Sequence, residues 1–186
     1  MTVDLAPTAW AVLGLLSFER ELSGYDLRKW ADSSLRFFYW APASSQIYAE
    51  LRRLEGHGFV TSRTAKQDDL RKKRLYRITR RGRAALREWV ERSEVAPPML
   101  KHGVMLRVWL GHLTDTETLR RVVTAHRDFA ATMAADAAVA AEGAHRDPAW
   151  AYPELVTEWS RRYYESERDL AGEILKRLDA PTDPDS

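Results

Sequence analysis

A helix followed at once by a hairpin, in the segment from Ser44 to Thr79, is the feature that most constrains how this chain can fold. Apolar residues recur through the first part of the segment at the spacing of one helical face, which predicts its buried side: Ile47, Leu51 and Leu54. The serine hydroxyls at the start of the segment can cap free backbone N–H groups. The opposite side of this helix carries small, aromatic and basic residues: Ser45, Tyr48, Ala49 and Arg52.

The second part of the segment has the composition of a hairpin. Gly58 ends the helix, and residues 59–64 predict a strand that reaches a polar turn at residues 66–69. The return strand is predicted over residues 74–79. A run of cations leads into it: Arg71, Lys72, Lys73 and Arg74.

A thin helical face beside a basic hairpin fits the major groove of DNA and its flanking phosphates, which is the winged-helix form of helix-turn-helix. The helix and the hairpin together supply the candidate DNA-binding residues: Ser44, Ser45, Gln46, Tyr48, Arg52, Arg71, Lys72, Lys73 and Arg74. A solvated basic hairpin beside an ordinary helix is the alternative explanation of the same charges.

Charge is distributed unevenly along the 186 residues, although the net charge is only +2. Residues 1–92 hold 18 Lys and Arg against 11 Asp and Glu, or +7, whereas residues 93–186 hold 11 against 16, or −5. This asymmetry indicates that only the first half meets a polyanion. No apolar run approaches a membrane span and no leader pattern opens the chain, so we expect a cytoplasmic protein.

The residues before the central segment predict two more helices. A dense apolar run over residues 8–16 predicts a helix that is buried on most sides. A tight turn at residues 23–27 predicts the start of a second helix reaching about Leu35, with Tyr25, Leu27 and Trp30 facing the core. The aromatic residues 37–40 then connect to the central segment, either as core or as part of an effector pocket.

Two prolines at positions 97 and 98 mark a boundary, so we predict a DNA-binding domain over residues 1–95 and a helical dimerisation and effector domain over residues 96–186. Thr114 and Glu117 have the spacing of a capping box, which opens a long alanine-rich helix. After a polar turn, a second segment begins at Asp147, is interrupted by Pro153 and continues as a last helix. The two long helices carry more apolar and aromatic positions than one antiparallel pair can bury, which favours a second copy of the chain as partner.

The flat apolar side chains of this chain suit a small aromatic effector. The candidate effector-binding residues are Trp40, Trp109, Trp150, Tyr152 and Trp159. Core packing is the alternative role for each of them.

The sequence contains no residue pattern typical of a catalytic site or a metal site. The histidines show no pairing at i+3 or i+4, the glycines form no phosphate-binding loop, and cysteine is absent. We therefore expect no metal site, no cofactor and no enzymatic activity.

The chain resembles the PadR family of bacterial transcriptional regulators. The resemblance is carried by an ordered set of motifs: LGLL at 13–16, SGYDL at 23–27, SQIY at 45–48, LRRLEGHGFV at 51–60 and RLYRITRRG at 74–82. It is close over the first half of the chain and looser over the second, which is similar to the helical dimerisation domain of longer members. It implies a homodimeric winged-helix repressor on a near-palindromic operator, often released by a small molecule.

The resemblance also assigns roles to single residues. Ser45, Gln46 and Tyr48 match the recognition-helix motif, and residues 72–74 match the wing motif. Many members carry proline near Leu70, whereas here two aspartates precede that position. Because phosphate repels carboxylates, we expect the wing tip to stay out of the minor groove.

Two non-enzymatic alternatives remain open at this point. One is a winged helix that serves purely as a protein-interaction module, and the other is a helical ligand-binding protein with an incidental basic domain. A gel shift on the DNA upstream of the protein's own gene separates both from a regulator.

Overall fold

The computed structural model describes residues 5–18, 21–68, 71–95, 97–145 and 150–179, without the side chains of residues 66–68 and 71–72. Its backbone divides into two compact units, Met1–Ala96 and Pro97–Ser186. Neither unit contains, in its described part, a helix that is both long enough and apolar enough to cross a membrane.

The first unit is built of helices around one antiparallel hairpin. Its elements in chain order are α1 (Pro7–Leu15), α2 (Gly24–Ser33), α3 (Ser44–Gly56), β1 (Val60–Asp68), β2 (Arg71–Ile78) and α4 (Arg80–Arg92). Short 3-10 turns follow α1 at Leu16–Phe18 and α2 at Leu35–Phe37. The predicted fold, mainly α with a small hairpin, is confirmed.

One apolar core holds the first unit together. As predicted, α1 is buried on most of its surface, and the apolar face of α3 has no exposed area at Ile47, Leu51 and Leu54. Trp10 of α1 stacks on Trp89 of α4, with ring centroids 5.4 Å apart. Burying side chains of this size supplies most of the free energy that stabilises the unit.

The hairpin is longer than the sequence predicted. Its register pairs Val60 with Ile78 and continues to Lys66 opposite Lys72, where the pairing shifts by one residue. Residues 66–68, which were assigned to the turn, belong to the first strand, and the return strand begins at Arg71 rather than at residue 74. Cross-strand hydrogen bonds override the weak strand propensity of these polar residues. The tip itself, residues 69–70, lies outside the described residues.

The start of α2 is fixed by a reciprocal pair of hydrogen bonds. The Asp26 N–H donates to Ser23 Oγ at 3.2 Å, and the Ser23 N–H donates to Asp26 Oδ2 at 3.0 Å. The prediction that Tyr25 faces the core is wrong, because this side chain is 71% exposed. Leu27 occupies the buried face, and Tyr25 lies two residues earlier, about 200° away around the helix.

Two glycines allow close approaches at the ends of helices. Gly58 follows α3 with a φ of 69°, a left-handed conformation that glycine adopts without steric cost. Gly82 donates its N–H to the capping Thr79 Oγ1 at 3.0 Å. A Cβ atom at Gly82 would lie 2.2 Å from the carbonyl oxygen of Phe59, so α4 can start this close to the hairpin only with glycine here.

The second unit contains a short helix and a long helical pair: α5 (Gly103–Trp109), α6 (Thr116–Ala144) and α7 (Ala151–Asp179). The pair is antiparallel, because Arg120 near the start of α6 donates to Asp179 at 2.9 Å, while His145 just after α6 hydrogen-bonds Glu154 at 2.8 Å. The prediction that Pro153 interrupts the last helix is wrong. Pro153 lies in the first turn of α7, where a missing backbone N–H is harmless.

The cap of α6 also differs from the prediction. The capping side chain is Asp115, which accepts the N–H of Thr118 at 2.6 Å, and not Thr114. Asp115 is equally suited to this position because its carboxylate interacts favourably with the positive end of the helix dipole.

Small residues hold α6 and α7 together. The buried positions of α6 include Ala130, Ala134 and Ala137, and those of α7 include Thr157, Ser160 and Ala171. Side chains of this size permit a close approach of two helix backbones. Several larger apolar residues are exposed at 54–76% of their surface, namely Phe129, Leu155, Trp159 and Leu170, whereas Leu119, Val123, Met133 and Leu175 are buried.

Candidate nucleic-acid interface

The outer face of α3 carries the residues that the sequence analysis assigned to base recognition. Ser44, Ser45, Gln46 and Arg52 are exposed, and Tyr48 is 41% exposed. Ser45, Tyr48 and Arg52 lie on the side away from the apolar face, which is buried in the core. The helix thus presents short polar groups near its N-terminus and a cation about two turns further on.

The sequence predicted that a serine hydroxyl caps the N-terminus of α3, but no side chain forms that hydrogen bond. The residue before the helix is Ala43, and its N–H donates to Gln46 Oε1 at 2.8 Å. This hydrogen bond fixes the carbonyl end of the Gln46 side chain and leaves its amide NH₂ as a donor. The hydroxyls of Ser44 and Ser45 remain on the exposed surface.

The ring of Tyr48 lies directly over Gly24, the first residue of α2. A Cβ atom at Gly24 would lie 2.4 Å from two ring carbons and 2.7 Å from the hydroxyl oxygen of Tyr48. The absence of a side chain at Gly24 is therefore what lets the ring rest against α2. Tyr48 is held by this contact on one face and is open to solvent on the other.

Arg52 differs from the other cations of the interface. Within the described part of the chain, no carboxylate forms an ion pair with it, whereas its neighbour Arg53 has Glu50 at 3.5 Å. A guanidinium without an internal partner can donate to a phosphate or to a guanine edge without first breaking an ion pair.

The wing cations that can be described are paired inside the domain. Lys73 Nζ lies 2.9 Å from Asp26 Oδ2. Arg74 donates from Nη2 to Glu55 Oε2 at 2.7 Å and from Nε to Ser62 Oγ at 2.8 Å. The sequence offered no signal for these partners, because the carboxylates lie on α2 and α3, far from residues 73 and 74 along the chain.

The ion pair of Lys73 affects the charge state of its partner. Burial raises the pKa of the Asp26 carboxyl, but hydrogen bonds from Ser23 and Lys73 outweigh burial and hold that pKa below its ordinary value. Asp26 thus caps α2 and binds the wing with the same carboxylate. The side chains of Arg71 and Lys72, the remaining predicted wing contacts, lie outside the described residues.

The predicted effector residues do not gather into one site. Trp40 belongs to the first unit and stacks on Tyr39, with centroids 4.2 Å apart. Tyr152 and Trp159 are 80% and 76% exposed on the first half of α7, and Trp150 is half-buried just before that helix. Trp109 is 77% exposed on α5.

Trp109 is the one predicted effector residue that lines the larger described cavity of the second unit, a cleft of about 550 Å³. Apolar side chains form most of the wall, and one end is polar. The lining residues are Val104, Met105, Val108, Trp109, Val123, Leu170, Ala171 and Ile174, with His102, His126, Glu167, Glu173 and Arg177. On α7 the first residue that lines the cleft is Glu167, eight residues beyond Trp159, which is about 12 Å along a helix, and Tyr152 and Trp150 lie further away along the chain.

The polar end of the cleft is a cluster that the sequence analysis missed. Glu167 Oε2 lies 3.0 Å from Nε2 of both His102 and His126. Burial raises the pKa of Glu167, but the hydrogen bonds with His126 and His102 outweigh it and hold the pKa below its ordinary value. The expectation of no metal site rested on spacing along one helix, whereas these side chains come from the residue before α5, from α6 and from α7.

Comparison with known proteins places the first unit in a family. Residues 12–88, which run from α1 into α4, match the model of the transcriptional regulator PadR-like family. The negative transcriptional regulator PadR of Bacillus subtilis (strain 168) is 38% identical to this chain over 100 residues, or 54% of each sequence. Residues 12–88 thus form a PadR-like domain.

Solved structures match this chain over nearly its whole length. The crystal structure of B. subtilis PadR in complex with operator DNA has a TM-score of 0.78 and 26% identity, and the match covers 94% of this chain and 100% of that one. The crystal structure of the same protein in complex with p-coumaric acid has a TM-score of 0.71, 24% identity and coverage of 96% and 100%. In sequence, the chain spans about half the length of the curated relative it matches.

Proposed function

We propose that this PadR-like protein is a DNA-binding transcriptional repressor, not an enzyme, that acts in the cytoplasm as a homodimer. The observation that carries the proposal is the outer face of α3. There Ser45, Tyr48 and Arg52, which has no ion pair among the described residues, are exposed on one side of a helix whose other side is buried. A helix of this kind fits the major groove, where base edges offer hydrogen-bond acceptors and donors.

In this proposal, residues 1–95 form the DNA-binding domain and residues 96–186 the dimerisation and effector domain. Exposed apolar side chains on the second unit support a second copy of the chain as partner: Met105, Leu106 and Trp109 on α5, and Leu155, Trp159, Tyr163 and Leu170 on α7. Water-exposed apolar surface of this extent is stabilised when a two-fold axis brings two copies together. The operator is then near-palindromic, with half-sites about 34 Å apart.

Fluorescence anisotropy with DNA from upstream of the protein's own gene tests the proposal, because repressors of this kind commonly act on adjacent genes. Specific binding should exceed binding to random DNA by about 1,000-fold or more at physiological salt. Tyr48→Ala should reduce operator affinity and leave random-DNA affinity nearly unchanged. Equal affinity of the unaltered protein for both DNAs, at every salt concentration, would contradict the assignment as a regulator.

Sedimentation tests the dimer separately. The full-length chain should sediment as a dimer at micromolar concentration, and the chain truncated after Glu94 should sediment as a monomer. A monomeric full-length protein would refute the homodimer.

The effector proposal rests on the apolar cleft beside Trp109 and on the relative crystallised with p-coumaric acid. A ligand releases DNA only if it binds preferentially to a form of the dimer that does not fit the operator. Phenolic acids and larger planar aromatics should therefore quench tryptophan fluorescence and weaken operator binding together. Compounds that quench without weakening operator binding count against this role, as does a panel that does neither.

A further inference from the structure

Three helices of the second unit bring one histidine or carboxylate each to a single point. His102 precedes α5 and accepts the Met105 N–H on Nδ1 at 3.1 Å, which turns its Nε2 toward α7. His126 projects from α6 and Glu167 from α7. The three side chains are only 13–19% exposed, and their potential ligand atoms all lie within 4.8 Å of one another.

We propose that His102, His126 and Glu167 form a binding site for a divalent transition metal of the zinc class. Two imidazole nitrogens and one carboxylate oxygen are a donor set that zinc uses in proteins, with bonds of about 2.0–2.2 Å. In a tetrahedral site these bond lengths place neighbouring ligand atoms about 3.4 Å apart. Both nitrogens already lie 3.0 Å from the carboxylate oxygen, so each nitrogen–oxygen distance changes by a few tenths of an ångström on binding.

In the metal-free state the same groups form a hydrogen-bonded triad. The Met105 N–H donates to His102 Nδ1, so the neutral His102 ring carries its proton on Nε2 and donates it to Glu167. Metal binding at Nε2 moves that proton to Nδ1 and breaks the hydrogen bond with Met105. The loss of one capping hydrogen bond is small against the affinity of a metal for two imidazoles and a carboxylate.

Three protein ligands leave the fourth position of a tetrahedral metal open, as in zinc sites that keep a water molecule. Here that position faces the cleft, because all three residues line it. The site also crosslinks the second unit. Helix α5 has no buried residue of its own, and a metal would tie its N-terminus to α6 and α7 at once.

The test uses the full-length chain, stripped with chelator and titrated with Zn²⁺ by calorimetry and with Co²⁺ by visible absorption. We expect one metal per chain and the intense Co²⁺ bands of a tetrahedral site. Glu167→Gln is the decisive variant, since its amide oxygen still accepts hydrogen bonds from both imidazoles but is a poor zinc ligand. Removing a hydrogen-bond partner of a ligand lowers metal affinity about 10–100-fold, so the loss of a ligand itself should lower it by about 100-fold or more.

His112→Ala is the matched control, because this exposed histidine lies outside the cluster and should leave metal binding unchanged. Zinc should also slow amide hydrogen exchange in α5 of the unaltered protein but not of Glu167→Gln. If Glu167→Gln reduces helicity, His126→Gln replaces it in the same comparisons. The proposal is overturned if the unaltered chain binds less than half an equivalent at micromolar metal, if the Co²⁺ bands are weak and octahedral, or if the cluster variant binds as tightly as His112→Ala.

Discussion

We expect ion pairing within the domain to decide which cations of the proposed interface contribute to the salt dependence of DNA binding. Arg52 has no carboxylate partner among the described residues, whereas Arg74 is held by Glu55 at 2.7 Å. Each phosphate contact contributes about 0.9 to the slope of log affinity against log salt, and a symmetric dimer makes each contact twice. Arg52→Ala should therefore flatten the slope by about 1.8, while Arg74→Ala should change it little.

The same reasoning predicts a steeper salt dependence when the carboxylate partner of Arg74 is neutralised. Glu55→Gln removes the charge that neutralises Arg74 but keeps an acceptor for Ser62, which donates to Glu55 at 2.6 Å. This variant should steepen the slope by up to about 1.8, which amounts to about 12-fold in affinity between 50 and 200 mM salt. The pair itself is half-exposed, so its loss should cost the fold about 1 kcal/mol or less.

The assay is operator binding measured by fluorescence anisotropy across a salt series. Lys176→Ala, which removes an exposed cation from the second unit, controls for a change in net charge alone. If Arg74→Ala flattens the slope as much as Arg52→Ala, or if Glu55→Gln leaves the slope unchanged, pairing within the domain does not set which cations contact phosphate.

Three further predictions follow from single contacts. Gly24→Ala should push aside the ring of Tyr48 and reduce operator affinity by about 1–3 kcal/mol per half-site. The melting temperature should stay close to that of the unaltered chain. Unchanged operator affinity would show that the position of the ring is irrelevant to recognition. The pKa of Asp26 is lower in the folded chain than its ordinary value of about 3.9. The free energy of unfolding should therefore fall as the pH drops from about 3.9 through the lowered pKa. Asp26→Asn should lessen this fall, as measured by urea titrations at acidic pH. Gly82→Ala should destabilise the chain by about 1–3 kcal/mol through a backbone clash, whereas Gly14→Ala, where the added methyl meets open space inside a helix, should stabilise it by about 0.5–1 kcal/mol in the same thermal measurement.

The sequence predicted those features that local periodicity determines. The apolar spacing of Ile47, Leu51 and Leu54 located α3 and its buried face, and the change in composition after Gly58 located the hairpin. Strand length was underestimated, because the pairing of residues 66–68 depends on the opposite strand and not on their own propensity.

Contacts between distant elements were beyond the reach of that reasoning. Nothing in the sequence around Lys73 indicates that Asp26 neutralises it, and nothing in the spacing of His102 and His126 indicates that Glu167 joins them. Charge and histidine content are visible in a sequence, but the identity of each partner is set by tertiary packing.

Small residues pack α6 against α7, so the packing of the helix pair and its contact with a partner chain depend on different residues. Alanine, serine and threonine fill much of the contact between the two helices, where Phe129 also meets Tyr164, while Trp159 and other bulky side chains are exposed on the outside. If the outer face of α7 forms the proposed dimer contact, substitutions there can alter which chain is accepted as partner without separating α6 from α7. After gene duplication, a few substitutions on the outer face could give two regulators that no longer form mixed dimers. Substitution of a larger residue between α6 and α7 would instead be eliminated as a folding defect.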